Sequence, residues 1–198
     1  MSFKNFGKQV ETIWNDLRPM TKEMLVKALK ANSKKQTYSY DAHADWELSN
    51  LLTALDAEVR IKSPDPGSSR ELRDLAETCA KVLEAQTESA EVFIQLAERA
   101  LAKNDFAKID FLADVLFERF SSGETAEVIR QTKLPQIKAI AFETLAVLPV
   151  SLITPLLDDP LYFDIACNVL EQQAIEFESD EARHVLEKLE FIDDNPWQ

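Results

Sequence analysis

Glycine is nearly absent from this chain: Gly7, Gly67 and Gly123 are the only three in 198 residues. A chain so poor in the residue that tolerates left-handed backbone has few of the tight turns that β-hairpins need. Isolated glycines also cannot form a phosphate-cradling loop. Cysteine is as scarce. Cys79 and Cys167 are too few for a disulfide scaffold, and in apolar helical stretches a reduced thiol behaves as a small hydrophobe. His43 and His184 are the only histidines, which argues against a histidine-based metal centre. Glu181 and His184 have the E-x-x-H spacing used by dimetal helical bundles, but such bundles need a second copy, and Tyr40 stands three residues before His43. No run approaches the roughly 20 apolar residues of a membrane span, and the opening segment lacks the apolar run of a secretory signal. A cytoplasmic protein with no metal, no cofactor and no catalytic constellation is therefore expected.

Charge is abundant and unevenly spread. The formal net charge is −13, yet residues 1–35 carry eight basic against three acidic residues, a net +5, which leaves −18 for the remainder. Duplex DNA binding draws on Lys and Arg that neutralise phosphates, so the acidic body excludes it. Only the N-terminal helices can meet an anion, through Lys22, Lys27, Lys30, Lys34 and Lys35. An anionic surface or RNA is the partner class that this segment suggests. The plain alternative is that the basic end offsets the acidic body.

Apolar residues recur at helical spacing along most of the chain, which predicts an all-α protein of about ten helices. A first helix is expected near 3–18, stopped by Pro19, and a second is expected to start at Thr21. The third is expected to be capped by Asp45 and to bury Leu48, Leu51, Leu52, Leu55 and Val59. Ser63–Ser69 holds two prolines and a glycine and is the strongest break, so an N-terminal helical part over 1–62 and a second helical part over 69–198 are expected, packed as one unit. Helices near 69–86, 89–103 and 106–120 follow, with Asn104-Asp105 as a turn and cap. From Leu134 to Leu170 there are five formal charges and four prolines, so this stretch is expected to form short helices that are apolar on most sides. Helices of that kind are buried by neighbours on both sides, as in a stacked array, and a charged last helix near 179–192 suits its end.

Within this stretch an offset of 25 residues aligns Pro135 with Pro160, Ile140 with Ile165, Ala141 with Ala166 and Leu145 with Leu170. Leu156-Leu157-Asp158-Asp159-Pro160, followed by Ile165-Ala166 and Val169-Leu170, resembles the inter-helix turn of HEAT-like repeats and of their leucine-rich-variant relatives. Ala90-Glu91-Val92-Phe93 through Leu96-Ala97 to Asn104-Asp105-Phe106 resembles the first helix and turn of a tetratricopeptide repeat, although Ile109 stands where a small residue is expected. The resemblance spans about residues 88–178. It implies an α-solenoid-like stack, an architecture used to bind other proteins.

Two groups stand out as partner-binding candidates. Tyr38, Tyr40, His43 and Trp46 cluster within nine residues, Trp46 falls off the leucine stripe of its helix, and Tyr and Trp dominate binding hot spots. The alternative is that they fold down as a lid over the first helices. The 25-residue offset also aligns Glu118, Glu143 and Asn168, a polar stripe suited to a basic partner or to plain solvation. His43 between Asp41 and Asp45, with Ser39 nearby, names the members of a catalytic triad, but triads are assembled in space and sequence neighbours rarely supply one. The leading expectation is thus a non-enzymatic scaffold or adaptor that binds another protein. A peripheral regulator acting through the lysine-rich helix, and an enzyme whose carboxylate site assembles only in three dimensions, remain as alternatives.

Overall fold

The apolar stripes do become helices in a computed structural model, which describes residues 6–30, 40–61 and 66–193. The order is α1 (Lys8–Asp16), α2 (Pro19–Lys30), α3 (Ala42–Ile61), α4 (Pro66–Gln86), α5 (Ala90–Ala102), α6 (Phe106–Arg119), α7 (Ser122–Gln131), α8 (Pro135–Ala146), α9 (Val150–Ile153), a 3-10 turn (Thr154–Asp158), α10 (Phe163–Ile175) and α11 (Asp180–Asp193). The protein is all-α, with no strand among the described residues. No described helix is long and apolar enough to cross a membrane.

Side-chain caps set some of these boundaries. Asp105 accepts from the Lys108 amide at 3.0 Å and Ser121 from the Glu124 amide at 3.1 Å, so α6 and α7 start where an oxygen meets a free N–H. Asn104 takes the left-handed conformation, φ 54°, that the α5–α6 turn requires. Four starts differ from expectation: the first helix begins at Lys8, after Gly7, rather than near residue 3. The second helix begins at Pro19, not Thr21, because proline at a first helical position gives up no hydrogen bond. For the same reason α4 begins at Pro66, inside the segment expected to be a break. Asp41, not Asp45, caps α3: its Oδ1 accepts from the Ala44 amide at 2.9 Å.

The chain forms two compact units, residues 1–92 and 93–198, and they do not part at Ser63–Ser69. The physical reason is that α4 packs back along α3 and also meets α2, so the helix beyond the break completes the first core. Leu48, Leu51, Leu52 and Leu55 of α3 are fully buried there with Leu72, Leu75 and Leu83 of α4, each worth about 2 kcal/mol of burial.

In the second unit α7 packs along α8, α8 also meets α6 and α10, and α11 packs on α10 with Ala182 buried. Phe93 and Phe120 meet edge to face, with ring centroids 5.6 Å apart. Positions 140–145 and 165–170 share one pattern of exposure: Ala141 and Ala166 are buried, Glu143 and Asn168 exposed, Leu145 and Leu170 buried. The prolines do not correspond. Pro135 opens α8, whereas Pro160 lies in a turn before α10 that is closed by the Tyr162 and Phe163 amides on the Asp159 carbonyl, both 2.9 Å. Gln173, buried in α10, donates through Nε2 to the Ala146 and Leu148 carbonyls at 2.9 and 2.7 Å, which lie at and just beyond the C-terminal end of α8.

Gly7 opens α1 with φ 103°, a conformation that L side chains avoid, and a Cβ at this position would overlap the Glu58 carboxylate of α3. Gly7→Ala is therefore expected to cost about 1–3 kcal/mol in urea unfolding. An unchanged midpoint would show that α1 can re-enter α3 at another angle.

Candidate partner-binding site

The first unit concentrates its polar contacts where α1 hands over to α2. Leu17 ends α1 by donating its amide to the Ile13 carbonyl, and Arg18 stands alone between the two helices. Glu47 of α3, only 5% exposed, reaches into this corner. Its Oε1 accepts from the Arg18 amide at 2.8 Å, and its Oε2 accepts from the Arg18 guanidinium at 3.1 Å and from the Thr21 hydroxyl. A residue of α3 thereby holds Arg18, the residue just before α2, and Thr21 in its first turn. The far side of the guanidinium forms a two-pronged pair with Asp41, at 3.0 and 2.7 Å. Arg18 thus connects Glu47 to Asp41, the cap of α3.

Electrostatics follows the geometry. Burial pushes the Glu47 carboxyl up, but the Thr21 hydroxyl and the Arg18 amide and guanidinium outweigh it and hold the group below its ordinary range. Asp41 is held well below the carboxylate range by the Arg18 guanidinium and the Ala44 amide, and Arg18 is raised in turn by Asp41 and Glu47.

Beside this corner a groove of about 350 Å³ opens between α1 and α3, lined by Gln9, Ile13, Asp16 and Leu17 on one side and Trp46, Glu47, Asn50 and Thr53 on the other. Both sets recur every three or four residues, so each is one face of its helix. Leu17 is buried, Ile13 half-buried and Asp16 exposed. Trp46 stands on the rim, 67% exposed.

The candidate residues distribute as follows. Tyr38, Lys34 and Lys35 lie outside the described residues. Tyr40 is half-buried, and its hydroxyl donates to Asp45 Oδ1 at 2.5 Å. His43 is exposed one turn before Trp46, on the same face of α3. Lys22 donates to the Asn15 carbonyl at 2.8 Å and so closes the end of α1, Lys27 pairs with Glu23 at 2.7 Å, and Lys30 is exposed. Glu118, Glu143 and Asn168 are all exposed, on α6, α8 and α10, and Asn168 donates to the Asp164 carbonyl of its own helix at 2.7 Å. Of the triad-like loop residues, Ser39 lies outside the described residues, while Asp41 and Asp45 are already engaged by Arg18 and Tyr40.

Comparison with family models, with curated proteins and with solved structures finds no match. The site therefore rests on its own residues.

Sequence reasoning found Trp46 but missed Glu47, Arg18 and Asp16. Trp46 carried a local signal, its place off the leucine stripe. The other three carried none, because a charged residue on a helix looks the same whether it faces water or a neighbouring helix.

The second unit holds a comparable fastening. Glu127 of α7 accepts from Arg130 at 2.6 and 2.5 Å, from Gln131 at 2.5 Å and from the hydroxyl of Tyr162, the residue just before α10, at 3.0 Å. Arg130 chiefly, with Gln131 and Tyr162, overcomes burial and brings the carboxyl from its ordinary 4.5 down to about 2. Burial and this carboxylate raise Tyr162.

Two outcomes are expected. Glu47→Ala leaves the Arg18 amide and the Thr21 hydroxyl without an acceptor and should cost about 2–4 kcal/mol in chemical unfolding; a loss under half a kilocalorie would mean that water replaces the carboxylate. Glu127 has its pKa lowered in the folded state, so its contribution is full above the unfolded value of 4.5 and disappears as pH falls towards 2. Urea midpoints measured from pH 7 to 2 should show Glu127→Gln weaker than the parent at pH 7, by about 1–2 kcal/mol, and the gap closing on acidification. A constant gap would mean that the charge contributes nothing.

Proposed function

We propose that this protein is a non-enzymatic helical scaffold or adaptor of the cytoplasm, which holds another protein through the α1–α3 groove with Trp46 as its anchor. The observation that carries this reading is Trp46 itself: a large, stiff aromatic, two-thirds exposed on a regular helix, beside a groove whose floor is fixed by buried hydrogen bonds. Tryptophan in that setting gives much contact area for little lost rotamer freedom, which is why it recurs as a hot spot. His43 extends the same face by one turn.

Two further points support binding over catalysis. The loop carboxylates are spent on structure, Asp41 on Arg18 and the α3 cap, Asp45 on Tyr40, and neither is left to act as a base. In the second unit, the contacts of α8 with both α6 and α10, and the shared exposure pattern of α8 and α10, fit a solenoid-like stack with Glu118, Glu143 and Asn168 as its polar edge.

The test is affinity capture from nuclease-treated lysate at about 0.15 M salt, where loose charge contacts are weakened. A stoichiometric protein partner should be retained by the parent chain and lost with Trp46→Ala, a truncation expected to weaken binding by about 30-fold or more. Trp46 is exposed, so the variant should keep its unfolding midpoint within about 0.5 kcal/mol. Equal capture by Trp46→Ala would remove the groove from the interface, and loss with Lys27→Glu and Lys30→Glu instead would move the interface to α2.

A further inference from the structure

Two residues break local rules, and both line the α1–α3 groove. Asp16 is the last residue of α1, whose last turn has no basic residue of its own; Lys22 of α2 reaches the neighbouring Asn15 carbonyl. No hydrogen bond or ion pair holds the Asp16 side chain among the described residues. Trp46 exposes most of an indole on a helix whose neighbouring leucines are fully buried. A residue set that costs local stability twice in one place points to a ligand.

The chemistry of the lining indicates which ligand. Among the described residues it contains no lysine or arginine. Its other carboxylate, Glu47, is buried and already accepts from Arg18 and Thr21. Asp16 therefore sets the sign of the open groove. Ile13 and Leu17 lie in the same lining and offer apolar surface.

We propose that the groove binds a cationic side chain, an arginine or lysine presented by a segment of the partner. Its aliphatic stem lies on Ile13 and Leu17, while its charged head takes the face of the Trp46 indole and the Asp16 carboxylate. A planar guanidinium suits the indole better than an ammonium does, so arginine is the preferred occupant. The proposal rests on the protein-binding role of this groove and names the kind of segment it receives.

The experiment is an amide and indole NMR titration of the full chain with acetyl-arginine amide, and with its neutral isostere acetyl-citrulline amide as the control. The arginine compound should shift the Trp46 indole N–H and the Asn50 side-chain amide with saturation in the millimolar range, and the citrulline compound should not. Asp16→Asn should weaken binding about five-fold, the worth of one exposed ion pair, and Trp46→Ala should abolish it. No saturable shift, equal binding of citrulline, or an unchanged affinity in Asp16→Asn overturns the proposal. Affinity capture separates this failure from that of the wider role. A partner lost with Trp46→Ala but retained with Asp16→Asn keeps the groove as an interface and rejects the cation. A saturable arginine site with no Trp46-dependent partner keeps the cation site and rejects the scaffold.

Discussion

The Glu47 carboxylate is the constraint on which the first unit turns. A carboxylate taken out of water is costly unless its lone pairs are filled, and here they are filled by the Arg18 amide, the Arg18 guanidinium and the Thr21 hydroxyl. Each of these donors sits at the α1–α2 junction, so satisfying one buried charge on α3 fixes where α1 ends and where α2 begins. The groove beside Trp46 is a consequence, since its two walls are α1 and α3.

The second unit is fastened by a different pair of polar groups. Gln173 joins α10 to the end of α8, and Glu127 joins α7 to the start of α10 through Tyr162. Between these points the packing is apolar, with Ala141, Leu145, Ala166, Val169 and Leu170 buried. Apolar faces that are alike along α8 and α10 could slide by a turn at little cost. A side chain that must reach particular carbonyls cannot, and in this way polar fasteners set register where hydrophobic burial sets only proximity.

Function and stability compete in the groove. Asp16 at a helix C-terminus and Trp46 in water each work against the isolated protein, and they lie in one lining with two apolar residues and, among the described residues, no cation. Stiffness comes from beneath, from the Glu47 contacts, so the exposed residues can be spent on a partner. The lysines of α2 show the opposite economy: Lys22 closes α1 and Lys27 pairs along its own helix, which leaves less charge for an anionic surface than their number suggests.

What the sequence by itself determined was local. Hydrophobic periodicity, the prolines and Asn104-Asp105 were enough for an all-α chain and for the turn between α5 and α6, because a helix stripe or a cap depends on residues within four positions of one another. Trp46 was legible for the same reason, as a departure from its own helix's pattern. The competing caps Asp41 and Asp45 were not separable locally, since both are aspartates near the start of α3, and Arg18, 23 residues earlier, favours the first. Tertiary structure alone decided that α4 belongs with α3, that Glu47 is buried, that Gln173 reaches across to α8, and that Asp16 and Trp46 share a groove. Each of these depends on which faces of distant helices meet, and a side chain's identity does not encode whether water or another helix will lie against it.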